Sequence, residues 1–178
     1  GKTQGELLPV WWVEKGYIYL RQDKHAAARE EFELALALDA KSVEAIYGLG
    51  LVELAEGNDL EAVSLFETVP RNSRFYVRAR RQLALIALKQ DRPGHAVMIM
   101  EKVYRQEPDS LSAALSYSWA LREAGEHDRA LEVLELIFKR HPDEEEILLE
   151  LALIYGLKGE GDRAIASSTV ITLEFRLD

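Results

Sequence analysis

Alanine recurs at Ala28, Ala62, Ala96, Ala130 and Ala164, an interval of thirty-four residues each time with no insertion or deletion. With alanine at 21 of 178 positions, five in register by chance is of order 10⁻⁵, so the chain is read as a tandem array. The strand signature of alternating Val, Ile, Thr and aromatic residues is not sustained anywhere, and the few prolines and glycines leave long helix-compatible stretches. Five units follow, at residues 9–42, 43–76, 77–110, 111–144 and 145–178, each predicted to hold a helix A, a turn and a helix B, after an N-terminal flank at 1–8.

Punctuation agrees with this frame. Asp23, Gly57, Asp91, Gly125 and Gly159 recur at the fifteenth place, where the end of helix A favours glycine or a turn former. Pro93 suits the first turn of a B helix, whereas Pro108 and Pro142 mark where a B helix cannot readily continue. Pro70 falls inside the expected second B helix and predicts an early end with a longer connection. Asp143 with Glu146 reads as an N-cap and its partner three residues on, placing negative charge at the positive end of the last A helix. A small residue on A (Gly16, Gly50, Ala84, Ser118, Ala152) is expected opposite the periodic alanine on B, letting the helices approach closely.

These residues resemble the tetratricopeptide repeat family, whose pattern places Trp, Leu, Gly and Tyr on A, Ala, Phe and Ala on B, then Pro. The first unit carries Trp12, Gly16, Tyr19, Ala28, Phe32 and Ala35, departing with Lys15 for the leucine and Ala40 for the proline. The second keeps Leu49, Gly50, Ala62 and Phe66, and the later units keep fewer of the marks. The resemblance spans residues 9 to 178. It implies an all-α fold, a right-handed superhelical solenoid of five helix-turn-helix repeats forming a single repeat domain.

Composition narrows the function. The formal charge is −9, against general nucleic-acid binding, and the absence of cysteine removes disulfides, thiolate zinc sites, iron–sulfur clusters and a cysteine nucleophile. The longest run without Asp, Glu, Lys or Arg is Ser110 to Leu121, well short of the ~20 residues of a membrane span, so a soluble chain without membrane insertion is expected. It begins at Gly1 with no basic-then-apolar leader, which suggests that a start methionine and any signal peptide were removed or never belonged to this stretch. No compartment is specified.

A catalytic constellation is not found. His25 and His127 hold the same place three repeats apart and cannot share a metal, and His95 and His141 lack companions at ligand spacing. The acidic run 143–146 lacks the alternating ligands and central glycine of a calcium loop, and Gly48-Leu49-Gly50 sits within an A helix rather than after a strand. The expectation is a non-enzyme with no cofactor or metal.

Rotation of ~100° per residue divides each A helix into a stripe facing B and a second stripe roughly 130° away. In the family this second stripe lines the concave surface. Here it is apolar, with Val10, Val13, Tyr17 and Leu20, then Tyr47, Leu51 and Leu54, then Leu85 and Leu88, then Leu115 and Trp119, then Leu149 and Leu153. Between Arg71 and Arg92 lie six arginines and one lysine against one aspartate, and Arg78, Arg81 and Gln82 sit on or beside the stripe. The candidate groove is therefore Val13, Tyr17, Tyr47, Leu51, Arg78, Arg81, Gln82, Leu85, Trp119 and Leu153. The two asparagines with which one subclass of the family grips the C-terminal carboxylate of chaperones are missing in every frame, where Val13, Gly48 and Gln82, or Tyr47, Gln82 and Ser116, or Arg81, Ser116 and Glu150 stand among the clamp places.

The function expected is a non-catalytic scaffold that binds a partner protein or peptide in the groove, with an acidic or C-terminal segment suited to its arginines. The alternative is a structural or oligomerising segment of a longer array without its own peptide site. The apolar residues of the last unit, Val170, Ile171, Leu173, Phe175 and Leu177, predict a longer array or self-association through the C-terminal helix.

Overall fold

The computed structural model describes residues 9–165 and 167. Among the described residues the elements run in order α1 (Pro9–Arg21), α2 (His25–Leu38), α3 (Val43–Glu56), α4 (Asp59–Thr68), α5 (Tyr76–Lys89), α6 (Pro93–Gln106), α7 (Leu111–Glu123), α8 (His127–Phe138) and α9 (Glu145–Leu157). Residues 161–165 and 167 are helical as well, and the described residues contain no strand. The A helices start at residues 9, 43, 76, 111 and 145, within one residue of the alanine-based frame. The apolar residues 170–177 lie outside the described residues.

The chain divides into two compact units, Gly1–Ile86 and Ala87–Asp178. In the first, α1 packs on α2, α2 and α1 both pack on α3, and α3 packs on α4. The second has the same order, with α6 on α7, α7 on α8, and both α7 and α8 on α9. Within each unit these contacts join helices adjacent in sequence or one element further on, the nearest-neighbour pattern of stacked repeats.

All five turn residues adopt left-handed backbone, with φ of 60° at Asp23, 84° at Gly57, 57° at Asp91, 77° at Gly125 and 75° at Gly159. The same steric demand is met by glycine three times and by aspartate twice, the latter a short polar side chain that tolerates this region. Pro93 occupies the first turn of α6, where a missing N–H costs nothing. Pro70 has the predicted effect: α4 stops at Thr68 after ten residues, against fourteen in α2 and α6.

The acidic cap differs from expectation. Glu144, not Asp143, is the N-cap of α9 and makes no side-chain cap bond, so the run acts through Glu145 and Glu146 in the first turn, beside the positive end of the helix dipole. Hydroxyl caps occur elsewhere, where Ser42 accepts from the Ala45 N–H and Ser110 from the Ala113 N–H.

Ala28, Ala62, Ala96 and Ala130 are completely buried, and Ala164 is half-buried. The small places on A, however, face the aromatic ring of B rather than the alanine. A Cβ on Gly16 would lie 2.6 Å from the Phe32 ring, and one on Gly48 would lie 2.4 Å from that same ring. At Gly50 the contact would be 2.5 Å, to Phe66. Phe32 is thus held between glycines of two successive A helices, in a core with Val13, Ala28, Ala35, Ala45, Leu49 and Val52. Where Met100 and Leu134 stand at the phenylalanine place, the small place holds Ala84 and Ser118 instead of glycine, a trade of volume at close packing.

Candidate partner-binding surface

Eight of the ten candidate groove residues lie in the first unit. Tyr17 on α1 is half-buried, its ring set edge-on to Phe32 at 5.1 Å and its hydroxyl donating to the Glu44 carbonyl oxygen at 3.0 Å. Burial pushes the Tyr17 phenol well above its ordinary range, and the neighbouring Tyr47 and Glu44 add to this while Arg78 and Arg74 oppose it. Tyr17 therefore remains a neutral hydroxyl donor.

Tyr47 on α3 is only 7% exposed, lodged between Phe66 at 5.5 Å and Phe75 at 5.3 Å. Its hydroxyl accepts a long hydrogen bond, 3.5 Å, from the Gln82 amide. Arg78 on α5 is exposed and sits 5.8 Å above the Phe75 ring, and Arg74 in the preceding connection pairs with Glu44 at 3.1 Å. Among the described residues no carboxylate lies within ion-pair distance of Arg78. Arg81 is exposed, Gln82 half-buried and Leu85 exposed.

Leu51 joins Tyr17, Leu20, Ile18, Glu14 and Arg21 around an open cleft of about 650 Å³. Its floor is aliphatic and aromatic, with an acid and a base two helical turns apart on α1. Glu14, Ile18, Arg21, Arg74 and Phe75 were not among the residues picked from the sequence. The first three lie just off the chosen stripe, and the last two lie before the third unit begins; only the excess of arginine pointed toward them.

Three candidates are not the exposed anchors that the stripe implied. Val13 belongs to the core around Phe32, Tyr47 is enclosed by Phe66 and Phe75, and Trp119 on α7 is 8% exposed. A stripe defined on one helix ignores its neighbours, and here large rings at these places are taken up in helix packing. Leu153, in contrast, is 54% exposed on α9, in line with the exposed Leu149 and Leu157 at four-residue spacing.

Ionic links tie successive repeats together. Arg29 of α2 donates to Glu53 at 2.5 Å and Glu56 at 2.7 Å on α3, and Asn58 also donates to Glu53 at 2.8 Å. In the second unit Arg122 reaches Glu150 at 3.1 Å and Lys158 reaches Asp128 at 2.5 Å. Among the described residues no group of three or more His, Cys, Asp or Glu is arranged to hold a metal ion. No described helix is long and apolar enough to cross a membrane.

Stacked helical hairpins define a repeat scaffold, a class that generally mediates protein–protein interaction. The chain belongs to the tetratricopeptide repeat family, whose profiles match residues 13–77 and 87–150. Solved structures share its fold. A tetratricopeptide repeat protein from Parabacteroides merdae is 18% identical, with 96% of this chain and 67% of that chain covered at a TM-score of 0.69. A thermophilic TPR protein from Thermus thermophilus is 22% identical, with 89% and 87% covered at 0.68. YrrB, a TPR protein with an unusual peptide-binding site, is 18% identical, with 89% and 82% covered at 0.54. No curated protein sequence matches the chain significantly.

Proposed function

We propose that the chain is a non-catalytic scaffold whose first unit binds a partner peptide along α1, α3 and α5, an apolar side chain entering the cleft and an acidic residue meeting Arg78. The observation that carries this reading is the exposed guanidinium of Arg78. It has no carboxylate partner among the described residues and acts electrostatically on Tyr17, which itself lines the cleft. Such an arrangement pairs desolvation of an apolar anchor with attraction for an acid, giving affinity and selectivity separately. YrrB carries a peptide-binding site on the same fold, which supports the reading by precedent. Tyr17, Leu51, Gln82, Arg81 and Leu85 would border the peptide. Val13 and Tyr47 would hold the helices beneath it.

Selection of a displayed random-peptide library against the purified chain tests this. Acidic peptides with a bulky apolar residue should be enriched. Arg78→Glu should weaken them about tenfold at low salt and less at high salt, and Leu51→Asp about tenfold at both. A library that yields only ligands indifferent to both substitutions overturns the assignment.

A further inference from the structure

Leu149, Leu153 and Leu157 on α9 are 47%, 54% and 59% exposed. At four-residue spacing they share one side of the helix and form a stripe about 12 Å long at 1.5 Å of rise per residue. Packing within the repeat does not call for them, because α9 already turns Ile147, Leu148, Leu151 and Ile154 into the core. Nor would a following repeat cover the whole stripe. Leu157 stands at the thirteenth place of its unit, and Arg21, Ala55, Lys89 and Glu123 at that place are exposed in the four repeats that have a successor. Only the fifth repeat puts a leucine there.

Along α9 the unpaired charge is of one sign. Glu145 and Glu146, four and three residues before Leu149, lie on the same side of the helix as the leucines, and Asp143 and Glu144 precede them; all four are exposed. None of the four is ion-paired among the described residues. The cations that reach α9 and its end are already neutralised, Arg122 of α7 by Glu123 at 2.7 Å and Glu150 at 3.1 Å, and Lys158 by Asp128 at 2.5 Å and Glu160 at 3.2 Å.

We infer that the second unit carries a docking surface of its own on α9, and that its occupant is a basic amphipathic helix of a partner protein. Apolar side chains repeating every three or four residues over about two turns would pack on the three leucines. Lysine or arginine in the last turn of the partner helix would meet Glu145 and Glu146. That sets the two helices antiparallel, with the basic residues at the end of a helix where its dipole favours them. Carboxylates at the head of the stripe repel an anionic bilayer, which selects a protein over a membrane surface. The preference is opposite in sign to that of the first unit's cleft, and the inference does not rest on that cleft.

A displayed library of helix-forming peptides, selected against the full chain carrying Leu51→Asp and Arg78→Glu so that the first cleft contributes nothing, tests it separately. Enriched peptides should be apolar on one side and basic near the C-terminal end. A synthetic peptide of the winning sequence, followed by fluorescence anisotropy, should bind the parent chain at least about tenfold more tightly than Leu153→Asp or Leu157→Asp, at low and high salt alike. Glu145→Lys with Glu146→Lys should weaken it about tenfold at low salt and less at high salt, and should accept instead the same peptide with its basic residues changed to glutamate. All these α9 substitutions fall at exposed positions, so the helical circular dichroism of the parent should be kept. The inference is overturned by a selection that enriches nothing or only acidic or uncharged peptides, by binding indifferent to the α9 substitutions, by a charge-reversed peptide that the lysine variant does not accept, or by leucine variants that unfold, since the last would make the stripe a packing surface of the chain itself.

Discussion

Lys15 Nζ lies 2.5 Å from Glu31 Oε1, and the two occupy the places that Leu49 and Leu65 hold in the second repeat. The departure from the family pattern at Lys15 is therefore half of a paired exchange, an ion pair in place of two leucines. Glu31 is almost fully buried, and its other oxygen has no hydrogen-bond partner. Lys15 also lies 5.2 to 5.5 Å from the ring centres of Trp11, Trp12 and Tyr19, an aromatic surround that favours its charge. Lys15→Leu alone leaves a buried carboxylate without its cation and should destabilise the fold. Lys15→Leu with Glu31→Leu should recover that loss. A double-mutant cycle from urea unfolding measures it, and additive losses would refute the pairing as the reason for the exchange.

Gly48→Ala should destabilise the chain by about 1–3 kcal/mol, because the new Cβ would lie 2.4 Å from a Phe32 ring that is gripped on its other side at Gly16. Phe32→Leu shortens the side chain and should make the glycine substitution less costly than in the parent. Thermal melts of the two single variants and the double variant check this. Equal costs of Gly48→Ala in both backgrounds would show that the ring is not what excludes the methyl group.

Overpacking at the periodic alanines should follow burial. Ala96→Leu and Ala130→Leu, at sealed positions, should each cost about 1–3 kcal/mol. Ala164→Leu should cost less, since that alanine is half-buried. Chemical denaturation of the three variants gives the order directly, and a reversal of it would contradict the packing described.

Glu53 is held below the ordinary carboxylate range, chiefly by its hydrogen bond from Arg29 and secondarily by that from Asn58, against the opposing effect of burial. A depressed folded value means that the link stabilises the fold fully above the unfolded glutamate value of about 4.3. That stability is lost as pH falls through the lower folded value. Glu53→Gln should therefore melt below the parent at pH 7, by about 1 kcal/mol for this partly exposed network. The gap should close on acidification below about pH 4. A gap that stays constant from neutral to acid pH would assign the effect to packing instead of charge.

The repeat frame was legible before any coordinates because its marks are local. A left-handed residue must end each A helix, an alanine must stand where helices touch, and a proline stops a helix wherever it occurs, so Asp23, Gly57, Ala28 and Pro70 could each be read from their neighbours in sequence. The groove was legible only as a stripe. Which members of it remain accessible depends on side chains of other helices and connections, and a helical wheel carries no information about them. Tyr17 and Leu51 border the cleft, whereas Tyr47 disappears between Phe66 and Phe75, with Phe75 contributed by the connection into α5. The glycine at place eight was read as room for an alanine, but tertiary packing gives the space to Phe32, and Gly48 of the next repeat closes it from the other side. The exposure of Trp11 and Ile18 is of the same kind, since their places are buried in every later repeat and only the stacking of helices decides which copy is left open. Sequence alone determined the period and the local geometry, because steric limits on the backbone act over a few residues. Tertiary structure alone decided which surfaces a partner can reach, because close packing is settled between helices that are distant along the chain.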